Sequence, residues 1–349
     1  MHNHARRWGR IGARAAFAAT LALPVTLPPG PVMAEGKAAG SDRIFLDKLP
    51  IPQAVYSRSG PVAAGKTRLV PFETAPFPYA GTVPATGRPF LDVSSGGRKG
   101  HRGRGGRVLW QDETFADRRV LLHIPEGFDI RRPSLMVVFF HGHGANLSAD
   151  VDRRQLLPEQ LTMAGTNAVL VAQLAVKAAD SSIGKLWQPG AFARMLGEAA
   201  RELSKLHGDR RTQRTFATLP VAIVAYSGGY VAAAWSAQYG GLGRRLRGVV
   251  LLDALYGETG KFTDWVTGDR TRIFISAYTS STRARNEELQ RTLARKGISF
   301  SHDIGRHARR SNVYFMDVSR GSSHRNFVTA AWSDYPVADF LSRLGGYTR

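Results

Sequence analysis

The chain is predicted to fold as an α/β domain, with a mainly parallel central sheet covered by helices on both faces. Three observations predict it. Six continuous apolar runs have the length and residue content of strands buried on both sides: "SLMVVFFHG", "NAVLVAQLA", "VAIVAYS", "GVVLLDA", "RIFISAYT" and "NVYFMDV". Helical stretches lie between most of them, an alternation that calls for a parallel sheet. Finally, "VAIVAYSGGYVAAAW" (221–235) joins a strand to an alanine-rich helix through one serine with small residues around it.

The first segment stands outside that fold. "MHNHARRWGRIGAR" is basic, "AAFAATLALPVTL" is an apolar stretch of signal length, and "VMA" (32–34) offers a cleavage site. Residues 1–34 are read as an export signal, with Arg6–Arg7 hinting at the twin-arginine route. Pro24 and Pro28 break a run too short for a hydrocarbon core of ~30 Å. The expected location is periplasmic or secreted. With no cysteine, such a protein relies on packing rather than disulfides, and thiolate nucleophiles and thiolate metal sites are excluded. The formal charge is +21; four arginines and no acid leave with the signal, so about +17 remains. Such a surface suits an anionic envelope polymer or lipid head groups, and no specific nucleic acid is expected.

Residues 35–105 are rich in Pro, Gly, Ala and Ser and end in the basic "GRKGHRGRGG" (97–106). They read as a flexible arm preceding a domain at 106–349. Within them "GPVAAGKT" (60–67) fits the phosphate-loop pattern, but that loop needs a strand before it and a helix after it. Pro71, Pro76 and Pro78 argue against the helix.

From residue 106 the pattern is regular. "RVLWQDE" (107–113) and "RRVLLHIP" (118–125) alternate like paired strands. Helices are expected at 150–165, 192–208, 229–240, 281–297 and 326–344.

In an open parallel sheet the loops at the carboxyl ends of strands form the reactive crevice. Ser227 ends one strand and begins a helix. The residues two before and two after it, Ala225 and Gly229, are small enough for strand and helix to approach there. The next amide, Gly228, points where charge develops on an attacked carbonyl. This segment resembles the nucleophile elbow G-x-S-x-G of the α/β-hydrolase family, with Ala225 in place of the first glycine. "LHIPEGFDIRRPSLMVVFFHGHGAN" (122–146) resembles the same family's early strands, where an apolar strand ends in His-Gly. The resemblance covers roughly residues 108–349 and implies the α/β-hydrolase fold, a mainly parallel sheet of about eight strands. It also implies that His143 or Gly144 presents the second oxyanion amide. The competing reading of "HGH" as a metal site lacks further ligands nearby, since Ala145 and Asn146 follow.

A serine nucleophile needs a base and the base an orienter. Of ten histidines, His324 lies between the last strand and the last helix, where the family order puts its histidine. The acid is less determined. The penultimate strand runs into "SAYTSSTRARNEE" without an Asp at its tip, whereas Asp253 ends the strand before it. Asp253 is favoured, with Asp317, Glu258 and Glu287 as alternatives. Tyr226, Trp187 and Gln188 are candidate substrate contacts, as is Lys185; Trp235 reads as core. The resemblance implies an exported serine hydrolase that needs no cofactor and acts on a small-molecule or polymeric acyl substrate, a carboxylic ester favoured over an amide. The alternatives are an amidase or peptidase working on envelope material, and a non-catalytic envelope binder of the same fold.

Overall fold

The computed structural model describes residues 60–103, 105–173, 181–304 and 312–349. These lie in the compact unit spanning Ser41–Arg349. The expected export signal, and the arm as far as residue 59, fall outside the described residues.

All six apolar runs form strands: β6 (Leu135–Phe140), β7 (Ala168–Gln173), β8 (Val221–Tyr226), β9 (Leu246–Leu252), β10 (Ile273–Tyr278) and β11 (Val313–Asp317). Before them come β1 (Lys66–Pro71), β2 (Val93–Ser95), β3 (Arg98–Arg102), β4 (Val108–Trp110) and β5 (Arg119–Ile124). The main sheet has eight strands in the order β1-β5-β7-β6-β8-β9-β10-β11. β5 runs antiparallel to both its neighbours, and every pair from β7 to β11 is parallel. With helices on both faces, this is the α/β-hydrolase fold.

Continuous apolar strands are needed because each feeds two cores. Met136, Val138 and Phe140 of β6 point into one layer, Leu135, Val137 and Phe139 into the other. The first layer is closed by helices that include α3 (Ala191–His207), α5 (Tyr230–Tyr239), α6 (Thr259–Gly268) and α7 (Arg283–Arg295). The second is closed by α2 (Leu157–Met163) and α8 (Pro336–Ser342). α3 shows how the sequence specifies its helices. Phe192, Met195, Leu196, Ala199 and Leu203 recur on one buried face, and Gly208 ends the helix at φ 99°, in the left-handed region. Each of the larger of these side chains contributes roughly 1.5–3 kcal/mol on burial.

The arm needs correcting. Residues 60–103 and 105 are not a flexible lead-in. β1 pairs with β5 along its whole length and forms the edge of the main sheet. β2, β3 and β4 form a separate three-stranded antiparallel sheet. Beside it Phe77, Tyr79, Phe90, Leu109 and Phe115 build a third small core. Scattered singly among Pro and Gly, these aromatics show no period in sequence, yet they converge in space. The expected pairing of 107–113 with 118–125 is also corrected: β4 pairs with β3, and β5 lies in the main sheet. The phosphate-loop pattern ends in edge strand β1, with no helix after it, and Lys66 Nζ donates to the Leu206 carbonyl at 3.1 Å.

Two helices are shorter than expected. Residues 150–165 divide into a wide turn at Leu147–Asp152 and α2. The last helix starts only at Pro336, whose ring suits a first helical turn.

Candidate active site

Parallel strands end at one edge of the sheet, and the register brings particular residues side by side there. Tyr226 lies opposite Leu252, and Leu252 opposite Ala277. The residues that follow, Ser227, Asp253 and the Tyr278–Thr279 tip, therefore emerge together. The His141–Gly144 loop leaves the end of β6, and the loop carrying His324 leaves the end of β11.

Ser227 sits at φ 50°, the left-handed region that a non-glycine residue adopts at a cost of about 1–3 kcal/mol. Its surroundings hold it there. A Cβ on Gly229 would collide with the Phe140 carbonyl, so strand and helix meet only because residue 229 is glycine. A Cβ on Gly142 would come within 2.9 Å of Ser227 Cβ, so the His-Gly loop packs directly on the serine.

His324 Nε2 is 2.9 Å from Ser227 Oγ, and its Nδ1 is 2.7 Å from Asp253 Oδ2. The structure thus brings the three residues into one hydrogen-bonded line. Asp253 is fully buried and also accepts from Thr279 N–H (3.0 Å), Thr279 Oγ1 (2.7 Å), Thr282 Oγ1 (2.7 Å) and Ser281 Oγ (3.0 Å). Burial alone would raise its pKa. The bonds from His324, Thr279 and Thr282 outweigh burial and hold the carboxyl well below the ordinary carboxylate range.

The other acids are engaged with basic partners. Asp317 pairs with Arg283 at 3.0 Å, Glu258 with Lys261 at 2.5 Å, and Glu287 faces Arg291 at 3.8 Å. The tip of β10, which carries no acid, supplies hydroxyls to an acid one strand away. The "TSST" run was the available signal for that shell, and sequence reasoning did not read it so.

Of the expected oxyanion residues, Gly228 and His143 come together. The His143 ring packs over Gly228, where a Cβ would run into it, and His143 Nε2 hydrogen-bonds Ser181 Oγ. Gly144 is exposed at the bend of the same loop, at φ 68°.

A cleft of about 1130 Å³ opens beside Ser227 and Gly228. Trp187 lines it, packed edge-on against Tyr79 (5.7 Å) and Phe90 (5.8 Å). Three expected contacts are corrected. Gln188 is exposed and lies outside the cleft wall. Tyr226 is buried behind His324: its hydroxyl donates to the His324 carbonyl at 2.7 Å and its ring stacks on the imidazole at 5.2 Å. Burial pushes that phenol up to about 12, so it stays a donor. Lys185 Nζ is engaged with the Glu73 carbonyl, also outside the wall. Trp235, expected in the core, is half-buried and lines the cleft with Lys261 Nζ 4.7 Å from its ring centre. Sequence reasoning missed Tyr230 and Tyr256, and it missed the contribution of the N-terminal segment: Val83, Pro84, Ala85, Thr86 and His101 also line the cleft.

No family model matches the chain, and no curated protein matches it. Solved structures do resemble it. One is a ferulic acid esterase, 10% identical, with 80% of this chain and 98% of that chain covered at a TM-score of 0.42. Another is the esterase LipW from Mycobacterium marinum, 15% identical over 65% of this chain and 75% of that one, TM-score 0.37. A third is a truncated carbohydrate esterase from gut microbiota, 10% identical over 64% and 90%, TM-score 0.39.

Chemically, the line from Ser227 to Asp253 offers an alcohol, an acceptor for its proton, and a fixed negative charge behind that acceptor.

Proposed function

We propose that the protein is a serine hydrolase that cleaves a carboxylic ester. The observation that carries this reading is the continuous Ser227–His324–Asp253 hydrogen bonding at 2.9 and 2.7 Å, with the serine at a strained strand–helix joint. Ser227 Oγ attacks the ester carbonyl while His324 Nε2 takes its proton. The carbonyl electrons move onto oxygen, facing the amides of Gly228 and the His143–Gly144 loop. His324 then returns the proton to the departing alkoxide, leaving an acyl enzyme and an alcohol. Water repeats the sequence and releases the acid. Asp253 keeps the imidazole in the tautomer that accepts at Nε2 and stabilises the imidazolium. No cofactor enters these steps.

The size of the cleft, just above the range of about 300–1,000 Å³ common to ligand sites, favours a bulky acyl or alcohol portion over an acetyl ester. Its wall is rich in aromatic rings, and its acid Glu258 is neutralised by Lys261, which favours an uncharged apolar group there. Export to the periplasm or beyond, and attraction of the basic surface to anionic envelope polymer or lipid head groups, complete the reading.

A panel of chromogenic esters of graded acyl size, set beside peptide amides, tests it. Ester turnover that disappears in Ser227→Ala and falls at least about 10³-fold in His324→Ala is expected. Turnover of amides alone would move the protein to the amidases. Turnover of neither, with salt-sensitive polymer binding, would make it a binder.

A further inference from the structure

The base of the proposed reaction sits on a loop, and loops at the carboxyl edge of a sheet are seldom rigid by themselves. The His324 side chain is 40% exposed, and the surrounding turn is closed mainly by short-range bonds: Gly321 N–H to the Val318 carbonyl, Asn326 N–H to Ser323 and Phe327 N–H to His324. Two longer attachments reach it from different elements and end on successive carbonyls. The Tyr226 hydroxyl, from the last residue of β8, donates to the His324 carbonyl at 2.7 Å. Arg154 Nη1, which follows the wide turn at Leu147–Asp152, reaches the Arg325 carbonyl at 3.4 Å.

Arg154 is itself held. Its Nε donates to Asp150 Oδ1 at 2.8 Å, and Asp150 Oδ2 accepts the Asn146 N–H at 2.7 Å. Asn146 caps the Leu147–Asp152 turn through bonds from Ser148 and Ala149 amides, and it lies two residues beyond Gly144. The chain of contacts therefore runs from the loop that packs on the nucleophile, through Asp150 and Arg154, to the loop that carries the base. Tyr226 adds a flat support under the imidazole, with ring planes inclined by 28°, and Tyr256 meets the same ring edge-on at 6.2 Å.

We propose that Tyr226 and Arg154 are positioning residues: together they clamp the His324–Arg325 backbone and keep Nε2 in line with Ser227 Oγ, coupling the base loop to the His141–Asn146 loop. The inference rests on the serine-hydrolase reading. Its consequence is kinetic. A base displaced by a fraction of an ångström loses proton-transfer geometry without altering how substrate sits in the cleft; a misplacement of 1 Å is worth about 100-fold. Neither residue lines the cleft, so the loss falls on kcat and not on KM.

The experiment is steady-state hydrolysis of a p-nitrophenyl ester by the full chain and by Tyr226→Phe, Arg154→Met, the double variant and Arg154→Lys. Turnover by the parent protein, abolished in Ser227→Ala, first establishes the reading on which the inference depends. Each single variant is then expected to lower kcat about 3–10-fold and the double variant about 30–100-fold, with KM within twofold. Arg154→Lys, which still pairs with Asp150 and donates to a carbonyl, recovers most of the loss. Arg154 is partly exposed, so its substitution leaves the core intact even if Tyr226→Phe folds poorly. Unchanged kcat in Arg154→Met together with unchanged kcat in the double variant would overturn the clamp. So would losses that appear in KM alone, or no recovery with lysine. Absence of turnover in the parent protein would overturn the underlying reading instead.

Discussion

At the scale of single residues, Asp253 is the most constrained polar group of the site. A carboxylate with four donors besides His324 cannot turn, and it cannot be replaced by a neighbouring acid, because Asp317, Glu258 and Glu287 are each turned to a basic partner. Asp253→Asn should therefore lower kcat by about 10³–10⁴-fold and also lower the melting temperature, since the amide keeps the shape but loses the charge-assisted bonds and favours the wrong imidazole tautomer. The acid was only partly legible in the sequence. Position at a strand end favoured Asp253, but what fixes it is a shell of hydroxyls from the next strand tip, and Thr279, Ser281 and Thr282 look like ordinary turn residues until the strands are in register. A second residue makes a pH prediction. Burial in β5, with Arg349 nearby, lowers the His123 pKa to about 4. The unfolded chain binds that proton near pH 6.5, whereas the native state resists it until about pH 4. The contribution of the neutral ring is thus intact above pH 6.5 and is lost as pH falls toward 4. Urea unfolding at pH 7 and pH 5 should show His123→Gln losing about 2 kcal/mol less than the parent over that interval. Equal losses would show that the ring titrates normally.

At the scale of elements, the joint between β8 and α5 is the feature that the sequence displayed most openly. It is local: one serine, small neighbours, an apolar run before and a helix after. Gly229 has the Phe140 carbonyl against its missing Cβ, and backbone cannot step aside as a flexible side chain can. Gly229→Ala is expected to destabilise the fold by about 1–3 kcal/mol and to reduce turnover sharply, read by chemical denaturation and by initial rates. The buried strands were legible for the same reason as the joint, since continuous apolar runs announce burial on both faces. The small N-terminal sheet was not. Its strands β2 and β4 are three residues long and β3 is five; Gly100 lies mid-strand because Val108 and Trp110 leave no room for a Cβ, and its core is five aromatic or aliphatic residues spread over some forty positions. A composition rich in Pro and Gly marks tight turns here as readily as it marks a loose tether.

At the scale of the whole molecule, that unit changes what the minimal active protein must be. It supplies five of the residues that line the cleft, and β1 before it covers strand β5. A chain starting at residue 106 should lose cooperative unfolding, with an uncovered strand edge and an incomplete site, and should be insoluble or inactive; calorimetry of the truncated protein checks this. A soluble, active truncation would restore the tether reading. The large positive charge acts at the same scale. Binding to an anionic polymer should weaken steeply with added salt, and ester turnover of a neutral substrate should not.

The central claim is that Ser227 is an activated nucleophile, and a fluorophosphonate probe reports on that most directly. Peptide mapping after brief exposure is expected to find one adduct, on Ser227, absent in Ser227→Ala and formed far more slowly in His324→Ala. A protein that stays unmodified at Ser227 while a known serine hydrolase is labelled under the same conditions would contradict the account.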